Sequence, residues 1–237
     1  RASGRVLAAP VTAARAQPPF DASAMDGYAI AGPEPNRGAT YTIVGSSAAG
    51  AGFFGELRPG EAVRIFTGAP VPPGASHILI QEDAEVDGTA LRFAPDYDWT
   101  GQYIRRKGCD FPAGFQLTAP RRLRPTDVAL LASMNAPEVQ VAQKPVVAII
   151  ATGNELVQPG EPPGDDQIFT SNTFALAAMV DAAGGDARVL PIARDDLKSL
   201  EQAFALAQGA DLIVTIGGAA VGDHDLVADA AEAHGME

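Results

Sequence analysis

Carboxylates follow three apolar runs in the C-terminal part of the chain, and side chains of this type bind hard cations. Glu155 stands in TGNEL, Asp195 in ARDD and Asp225 in GGAAVGDHD. Mg²⁺ prefers carboxylate oxygens and often bridges them to a phosphate-bearing substrate. The sequence therefore predicts a site for an anionic substrate, with Glu155 and Asp225 as ligands of a magnesium ion.

The third of these segments is rich in glycine and runs directly into a predicted helix. Such a loop presents backbone N–H groups and the positive end of a helix dipole, a combination that binds phosphate. The predicted contacts are Gly217, Gly218, Gly222 and Asp223. Two simpler interpretations stay open, because the aspartates of the second and third segments could serve only as helix N-caps and the glycine pair could form only a tight turn.

The order of elements in this region explains why the three segments would meet. Buried strands are predicted at 146–151, 187–193 and 211–218. Helices are predicted at 171–185, 196–209 and 225–235. This alternation predicts a parallel sheet with helices on its faces, and ligands bind where the carboxyl ends of such strands open.

The N-terminal part of the chain has short strand-like runs separated by proline and glycine. Strands are predicted at 62–68 and 77–86, and a hairpin at 85–93 has Asp87-Gly88 as a type I′ turn pair. A short helix is predicted at 127–134, after Thr126 as N-cap. We therefore expect an α/β plus β-rich fold, with a β-rich domain at 18–112, a connector made of 1–17 and 113–144, and an α/β domain at 145–237.

One segment of the β-rich part, PPFDASAMDGYAI at residues 18–30, fits neither helical nor strand periodicity. It combines a rigid Pro-Pro with small residues and two carboxylates, Asp21 and Asp26. Loops often carry the functional residues of a rigid scaffold. We expect Asp21 to be a structural turn former after the two prolines.

Charge is distributed unevenly along the 237 residues, whose net charge is -12. Residues 1–144 hold 14 basic and 14 acidic side chains, whereas residues 145–237 hold 3 and 15. This acidity argues against nucleic acid as a partner, and no apolar run reaches the roughly 18 residues of a membrane span. The N-terminus lacks the apolar core of a secretory signal. The single cysteine, Cys109, fits a reducing cytoplasm. We expect its side chain to be inert and half-buried.

Six motifs in order carry a resemblance to a known family: PPFDASAMDGYA, RIFTGAPVPPGA, IRRKGCDFPAG, ATGNEL, SNTFAL and GGAAVGDHD. Together they resemble the molybdopterin molybdenumtransferases of the MoeA type, to which the C-terminal domain of gephyrin is related. The resemblance implies a molybdopterin-binding-like α/β unit. It also implies insertion of molybdate into adenylylated molybdopterin (molybdopterin-AMP), with Mg²⁺ and release of AMP, by a cytoplasmic homodimer. A further implied partner is the adenylyltransferase that precedes this step.

The same resemblance implies functional roles for six side chains. They are Asp26, Thr67, Asp110, Glu155, Asp195 and Asp225. Glu155, Asp195 and Asp225 are also the residues that the strand-end argument selects, whereas the other three rest on the resemblance. The chain departs from the family pattern at Ala220, where a serine is usual, at Asn154 in TGNEL, and at Cys109 in GCD.

The family pattern extends further at both ends, and we therefore expect this chain to be a fragment that lacks lysine-bearing segments of the site. Two other functions stay open at this point. One is a non-catalytic scaffold or dimerisation module of the same fold. The other is a molybdopterin adenylyltransferase, which would share the α/β unit but would have no need of the AMDGYA unit.

Overall fold

The computed structural model describes residues 2–32, 38–94, 97, 102–217 and 226–235. The chain forms two compact units. One contains Ala9–Pro120 and Pro125–Val139, and the other contains Arg1–Ala8, Arg121–Arg124 and Gln140–Glu237. The α/β plus β-rich fold expected from the sequence is confirmed, and the domain boundaries proposed from it stay predictions.

The first unit is built on a six-stranded sheet. Its strands are β1 (Gly27–Ala31), β2 (Tyr41–Ser47), β3 (Glu61–Ile65), β4 (Ala75–Ile80), β5 (Ala84–Asp87) and β6 (Ala90–Phe93). Their order across the sheet is β4-β1-β3-β2-β6-β5. All pairs are antiparallel except β2 with β3, which is parallel.

Strand β1 is buried on both faces and lies between β4 and β3 in the sheet. Tyr28 and Ile30 belong to one apolar cluster, and Ala29 and Ala31 belong to another. Since successive side chains of a strand point to opposite faces, this alternation places a core on each side of the sheet.

Two local predictions for this unit are wrong in detail. The strand predicted at 77–86 is interrupted by a 3-10 turn at Gln81–Asp83, because the chain bends between β4 and β5. The hairpin turn is Gly88-Thr89, since Asp87 still pairs with Ala90, and only Gly88 has a positive φ (60°). That combination excludes the type I′ turn, which needs positive φ at both central residues.

The connecting helix α1 spans Pro125–Ser133, so Thr126 lies inside it and is not its N-cap. Proline is favoured at the first helical position, because its missing N–H would be unpaired there anyway. The helix is followed by Asn135 with φ 62°, which agrees with the predicted end.

The second unit contains a three-stranded parallel sheet of β7 (Val146–Ala151), β8 (Asp186–Val189) and β9 (Leu212–Ile216) in the order β8-β7-β9. Its helices are α2 (Asn172–Ala183), α3 (Leu197–Leu206) and α4 (Leu226–Ala233). Central β7 contributes Ala148 and Ile150 to a core that includes Leu200 and Phe204 of α3. The predicted alternation of strands and helices is confirmed, and β8 ends at Val189, before the proline at position 191.

Short two-residue ladders complete both units. The antiparallel ones join Val6–Leu7 to Arg121–Arg122, Val11–Thr12 to Gln116–Leu117, and Ala22–Ser23 to Ile104–Arg105, and a parallel one joins Leu156–Val157 to Ile168–Phe169. Within the described ranges, no helix is long and apolar enough to cross a membrane.

Candidate functional site

Asp26 and Thr67 meet at one end of the six-stranded sheet. Asp26 directly precedes β1, and Thr67 lies just after β3. Oδ1 of Asp26 accepts two hydrogen bonds from Thr67, at 2.7 Å from the backbone N–H and 2.7 Å from the hydroxyl. No other described residue donates to the carboxylate, so its second oxygen, Oδ2, stays available to a ligand.

The backbone around this pair is tightly constrained. A Cβ on Gly27 would collide with the carbonyl oxygen of Leu79 on β4, so only glycine allows the two strands to approach this closely. The carbonyl of Asp26 accepts a hydrogen bond from the N–H of Gln81 at 3.2 Å. The start of β1 is thereby fixed to the residue that follows β4.

The segment that carries Thr67 is fastened to the loop before Asp26. The N–H of Ser23 donates to the carbonyl of Ala69 at 3.0 Å, and the N–H of Gly68 donates to the carbonyl of Ser23 at 2.8 Å. These two bonds hold the segments in register although they are distant in sequence. The AMDGYA and FTGAP motifs therefore form one structural feature.

The charge on Asp26 is stabilised by its surroundings. The Thr67 backbone N–H and then the Thr67 hydroxyl lower the pKa of Asp26 below its usual value, desolvation opposes them, and the positive charge of Arg64 adds a smaller lowering effect. Hydrogen bonds to the ionised form always favour that form. At neutral pH, Asp26 is consequently a carboxylate with one committed and one open oxygen.

Asp110 lies on an exposed loop and forms an ion pair with Arg105, whose Nη2 is 2.6 Å from Oδ1. The hydrogen bond and the charge of the Asp110 carboxylate raise the pKa of Arg105 further above its usual value. The neighbouring Cys109 is exposed, so the expectation of a half-buried side chain is wrong, because Cys109 lies in a loop in which Lys107 and Asp110 are exposed as well.

Asp21 binds the same loop from the other side. Its Oδ1 accepts a hydrogen bond from the N–H of Lys107 at 2.7 Å, and its Oδ2 accepts one from Arg106 at 2.7 Å. The Lys107 N–H and the Arg106 guanidinium lower the pKa of Asp21, although partial burial opposes them. With both oxygens committed, Asp21 has the geometry of a structural residue, but it fastens a loop distant in sequence and does not act as the expected local turn former.

Two of the three predicted carboxylate segments meet in the α/β unit. The N–H of Asn154, which follows β7, donates to Oδ2 of Asp195 at 3.2 Å, and the N–H of Asp195 donates to Oδ1 of Asn154 at 3.4 Å. Arg194 adds a hydrogen bond from Nη1 to the carbonyl of Asn154 at 2.9 Å. The loops after β7 and β8 are therefore joined at one edge of the parallel sheet.

Glu155 is exposed beside this junction. A Cβ on Gly153 would lie 2.5 Å from Oε2 of Glu155, so the carboxylate folds back over its own loop. Gly217, at the end of β9, packs closely against Thr152. A Cβ on Gly217 would lie 2.6 Å from the Thr152 carbonyl oxygen. The ends of β7, β8 and β9 are thus brought together.

The rest of the third segment lies outside the described residues. Gly218, Gly222, Asp223 and Asp225 belong to it, as does the departure at Ala220. Their predicted contacts with substrate and metal stay predictions. Within the described ranges, no three His, Cys, Asp or Glu side chains gather into a metal site.

The N-cap interpretation holds for one of the two neighbouring aspartates after β8. Asp196 has an extended backbone, and its Oδ1 accepts a hydrogen bond from the N–H of Ser199 at 2.8 Å at the start of α3. Asp195 instead contacts Asn154, as described above. The two side chains therefore have separate tasks.

The sequence argument missed Arg64 and Arg194. Arg64 lies on β3 and its positive charge acts on Asp26, and Arg194 spans the junction of the loops after β7 and β8. The sequence does contain a signal for Arg64, because a charged residue inside the apolar run AVRIF needs a partner.

Curated relatives and solved structures resemble the chain over nearly its whole length. It is 35% identical over 233 residues to a molybdopterin molybdenumtransferase from Nostoc sp., which covers 95% of the chain and 53% of the relative. It is 36% identical over 239 residues to molybdopterin molybdenumtransferase 2 of Mycobacterium tuberculosis, covering 97% and 58%. A crystal structure of a molybdopterin biosynthesis MoeA protein from Pyrococcus horikoshii superposes with a TM-score of 0.81 and 31% identity, covering 98% of the chain and 60% of that structure.

The chain thus spans little more than half the length of these relatives. Residues 1–135 match the family described as MoeA N-terminal region (domain I and II). Residues 148–237 match the probable molybdopterin binding domain. The second match begins inside β7, the first strand of the parallel sheet. On the residues matched and the identity to these relatives, the chain belongs to the MoeA family.

Proposed function

We propose that this protein is a molybdopterin molybdenumtransferase of molybdenum cofactor biosynthesis, which inserts molybdate into adenylylated molybdopterin and releases AMP. The observation that carries the proposal is the contact between Asp26 and Thr67, which are 41 positions apart and make two hydrogen bonds. Both are residues to which the sequence resemblance assigns a functional role. The names of the similar curated proteins support the same activity.

The proposed role of Asp26 follows from its charge and its open oxygen. Oδ1 is held by Thr67, so the orientation of Oδ2 is fixed. An ionised carboxylate in a fixed orientation accepts a hydrogen bond or a proton from a substrate group or a water molecule. Thr67 acts here as the residue that orients the base, and its hydroxyl oxygen retains a lone pair for the ligand.

A magnesium ion fits the oxygen donors at the edge of the parallel sheet. Glu155 is exposed and its carboxylate makes no hydrogen bond to a described residue, whereas Asp195 has one oxygen committed to Asn154. Mg²⁺ typically takes one or two carboxylates together with substrate phosphates. In the proposal Glu155 and Asp225 hold the ion, which offsets the repulsion between these carboxylates and an anionic substrate.

The finer parts of the proposal concern the environment of the enzyme. We expect a cytoplasmic homodimer that receives its substrate from the adenylyltransferase of the preceding step. The glycine-rich segment with Gly217, Gly218, Gly222 and Asp223 would bind a phosphate of that substrate. Asp110, paired with Arg105, would orient this guanidinium toward an anionic group.

A stand-alone adenylyltransferase is the weaker alternative, because more than half of the chain matches the MoeA N-terminal region. The second alternative is a non-catalytic scaffold of the same fold, which would release no AMP from adenylylated molybdopterin. The Asp26–Thr67 contact favours the enzyme, since a scaffold does not require an oriented carboxylate with an open oxygen.

The direct test is AMP release from adenylylated molybdopterin with Mg²⁺ and molybdate. The chain is assayed beside a form extended to the full length of its relatives, with Asp26→Ala and Glu155→Ala variants. We expect release by the extended form and loss in both variants, by a factor of about 100 or more for a residue that contacts the reacting groups. No release from either length would support the scaffold.

A further inference from the structure

Arg64 lies on β3 next to the Asp26–Thr67 pair, and its side chain is held from four directions. Its Nη1 donates to the carbonyl of Gly27 at 3.1 Å, and its Nη2 donates to Oε1 of Gln81. Its Cζ lies 4.9 Å from the ring centroid of Tyr28 and 4.9 Å from that of Phe66. An arginine that is stacked and hydrogen-bonded in this way has little rotamer freedom left.

These contacts connect the strand ends that carry the candidate site. Gly27 and Tyr28 begin β1, Phe66 stands between β3 and Thr67, and Gln81 follows β4. Gln81 also donates its N–H to the carbonyl of Asp26 at 3.2 Å. The carbonyls of two successive peptides are therefore fixed, that of Asp26 by the Gln81 N–H and that of Gly27 by Arg64, which also donates to the Gln81 side chain.

The arginine also acts on Asp26 through its charge. Among the described residues Arg64 forms no ion pair within 4.0 Å, so its own charge is not neutralised by a direct carboxylate contact. Its electrostatic effect on Asp26 lowers the pKa of that carboxyl group. This effect adds to that of the Thr67 hydrogen bonds and occupies neither oxygen of the carboxylate, because Arg64 makes no direct contact with it.

We propose that Arg64 is a positioning residue that acts on the reaction through Asp26, by fixing the Gly27 carbonyl directly and the Asp26 carbonyl through Gln81, and thereby the orientation of the carboxylate beside Thr67. Its role in turnover rests on the proposed function, whereas its effect on Asp26 does not. A purely structural arginine would stabilise the fold without changing the chemistry of Asp26.

The first experiment measures the titration of Asp26 by carbon NMR of the side-chain carboxyl, with Asp26→Asn used to assign the signal. We expect the pKa of Asp26 to rise toward its usual value in Arg64→Met, and to stay closer to the parent value in Arg64→Lys, which retains the charge. Arg58→Met is the matched control, because Arg58 lies at the other end of β3 and its removal lowers the positive charge equally. An unchanged Asp26 titration in Arg64→Met would overturn the proposal, and if that variant does not fold, the same comparison is made with Arg64→Gln.

The second experiment is a double-mutant cycle for AMP release in the full-length protein. We expect Arg64→Met to lower kcat about tenfold, and to lower it less than about twofold when Asp26→Asn is already present, because the arginine then has no carboxylate to act through. Equal effects in the two backgrounds would mean that Arg64 acts independently of Asp26. If the parent protein releases no AMP, the proposed function fails, and the titration of Asp26 alone decides the role of Arg64.

Discussion

Two carboxylates of the β-rich unit, Asp21 and Asp26, are ionised more readily than free aspartate because backbone N–H groups donate to them. A group whose pKa is depressed by folding contributes stability above its unfolded pKa and loses it as the pH falls through its folded pKa. We therefore predict that unfolding becomes easier below about pH 3.9, the usual value for aspartate. Urea unfolding between about pH 2 and pH 6 should show a shallower pH dependence in Asp21→Asn and in Asp26→Asn than in the parent.

The control for this prediction is Asp87→Asn, at the hairpin that ends β5, where no described residue donates to the carboxylate. This change should leave the pH dependence as it is in the parent protein. If all three variants behave alike, the acid sensitivity arises from the general charge of the chain and not from the Asp21 and Asp26 hydrogen bonds.

Gly27 is the position beside Asp26 at which we expect an added methyl group to destabilise the protein. In Gly27→Ala the added Cβ meets the carbonyl oxygen of Leu79 far inside van der Waals contact, so β1 must move away from β4. We predict a loss of about 2 kcal/mol or more in the free energy of unfolding, as for other overpacked positions. Gly52→Ala is the control, because its nearest neighbour would be Cγ of Pro70 at 3.4 Å, an ordinary contact. Equal stabilities of the two variants, measured in urea, would contradict the prediction.

At the scale of elements, the loop after β8 contains two adjacent aspartates with different tasks. Asp196 caps α3 through the N–H of Ser199, whereas Asp195 joins the loop after β7 through Asn154. We predict that Asp196→Ala lowers the free energy of unfolding by about 1 kcal/mol, the usual cost of a lost N-cap. Asp195→Ala should cost less stability and reduce AMP release more, because it frees the loop that carries Glu155.

The control on the same helix is Lys198→Ala, which removes an exposed side chain that makes no hydrogen bond to a described residue. Thermal unfolding and AMP release are measured on all three variants. If Asp195→Ala destabilises the chain as much as Asp196→Ala and leaves activity intact, Asp195 is only a structural residue.

The elements show what sequence patterns can establish and where they stop. The apolar run of β7 and the glycine stop after α2 predicted the parallel unit, because hydrophobic periodicity and breakers act locally. The interruption at Gln81–Asp83 and the turn at Gly88-Thr89 were missed, since strand register depends on which partner is paired. The sequence identified Asp26 and Thr67 separately, each through its own motif, but did not predict their contact. The two residues are 41 positions apart and meet only because the sheet brings β1 and β3 side by side.

At the scale of the whole molecule, the charge of the chain limits how an anionic substrate can bind. The net charge is -12, and residues 145–237 hold 15 acidic side chains against 3 basic ones. Such an excess of one sign repels anions and destabilises the compact state through self-repulsion. A bound divalent cation would relieve both effects at one place, whereas monovalent salt would screen them everywhere.

This difference leads to a prediction for magnesium that needs no substrate. At matched ionic strength, MgCl₂ should raise Tm more than NaCl, because an ion that binds only the folded state adds a stability of RT ln(1 + [L]/Kd) to general screening. Glu155→Gln and Asp225→Asn should each abolish the difference between the two salts, since they remove a proposed ligand. Asp181→Asn, an exposed change on α2 with the same loss of charge, should preserve it. If all three variants keep the parent difference, the magnesium effect is not located at Glu155 and Asp225, and the proposed metal ligands are wrong.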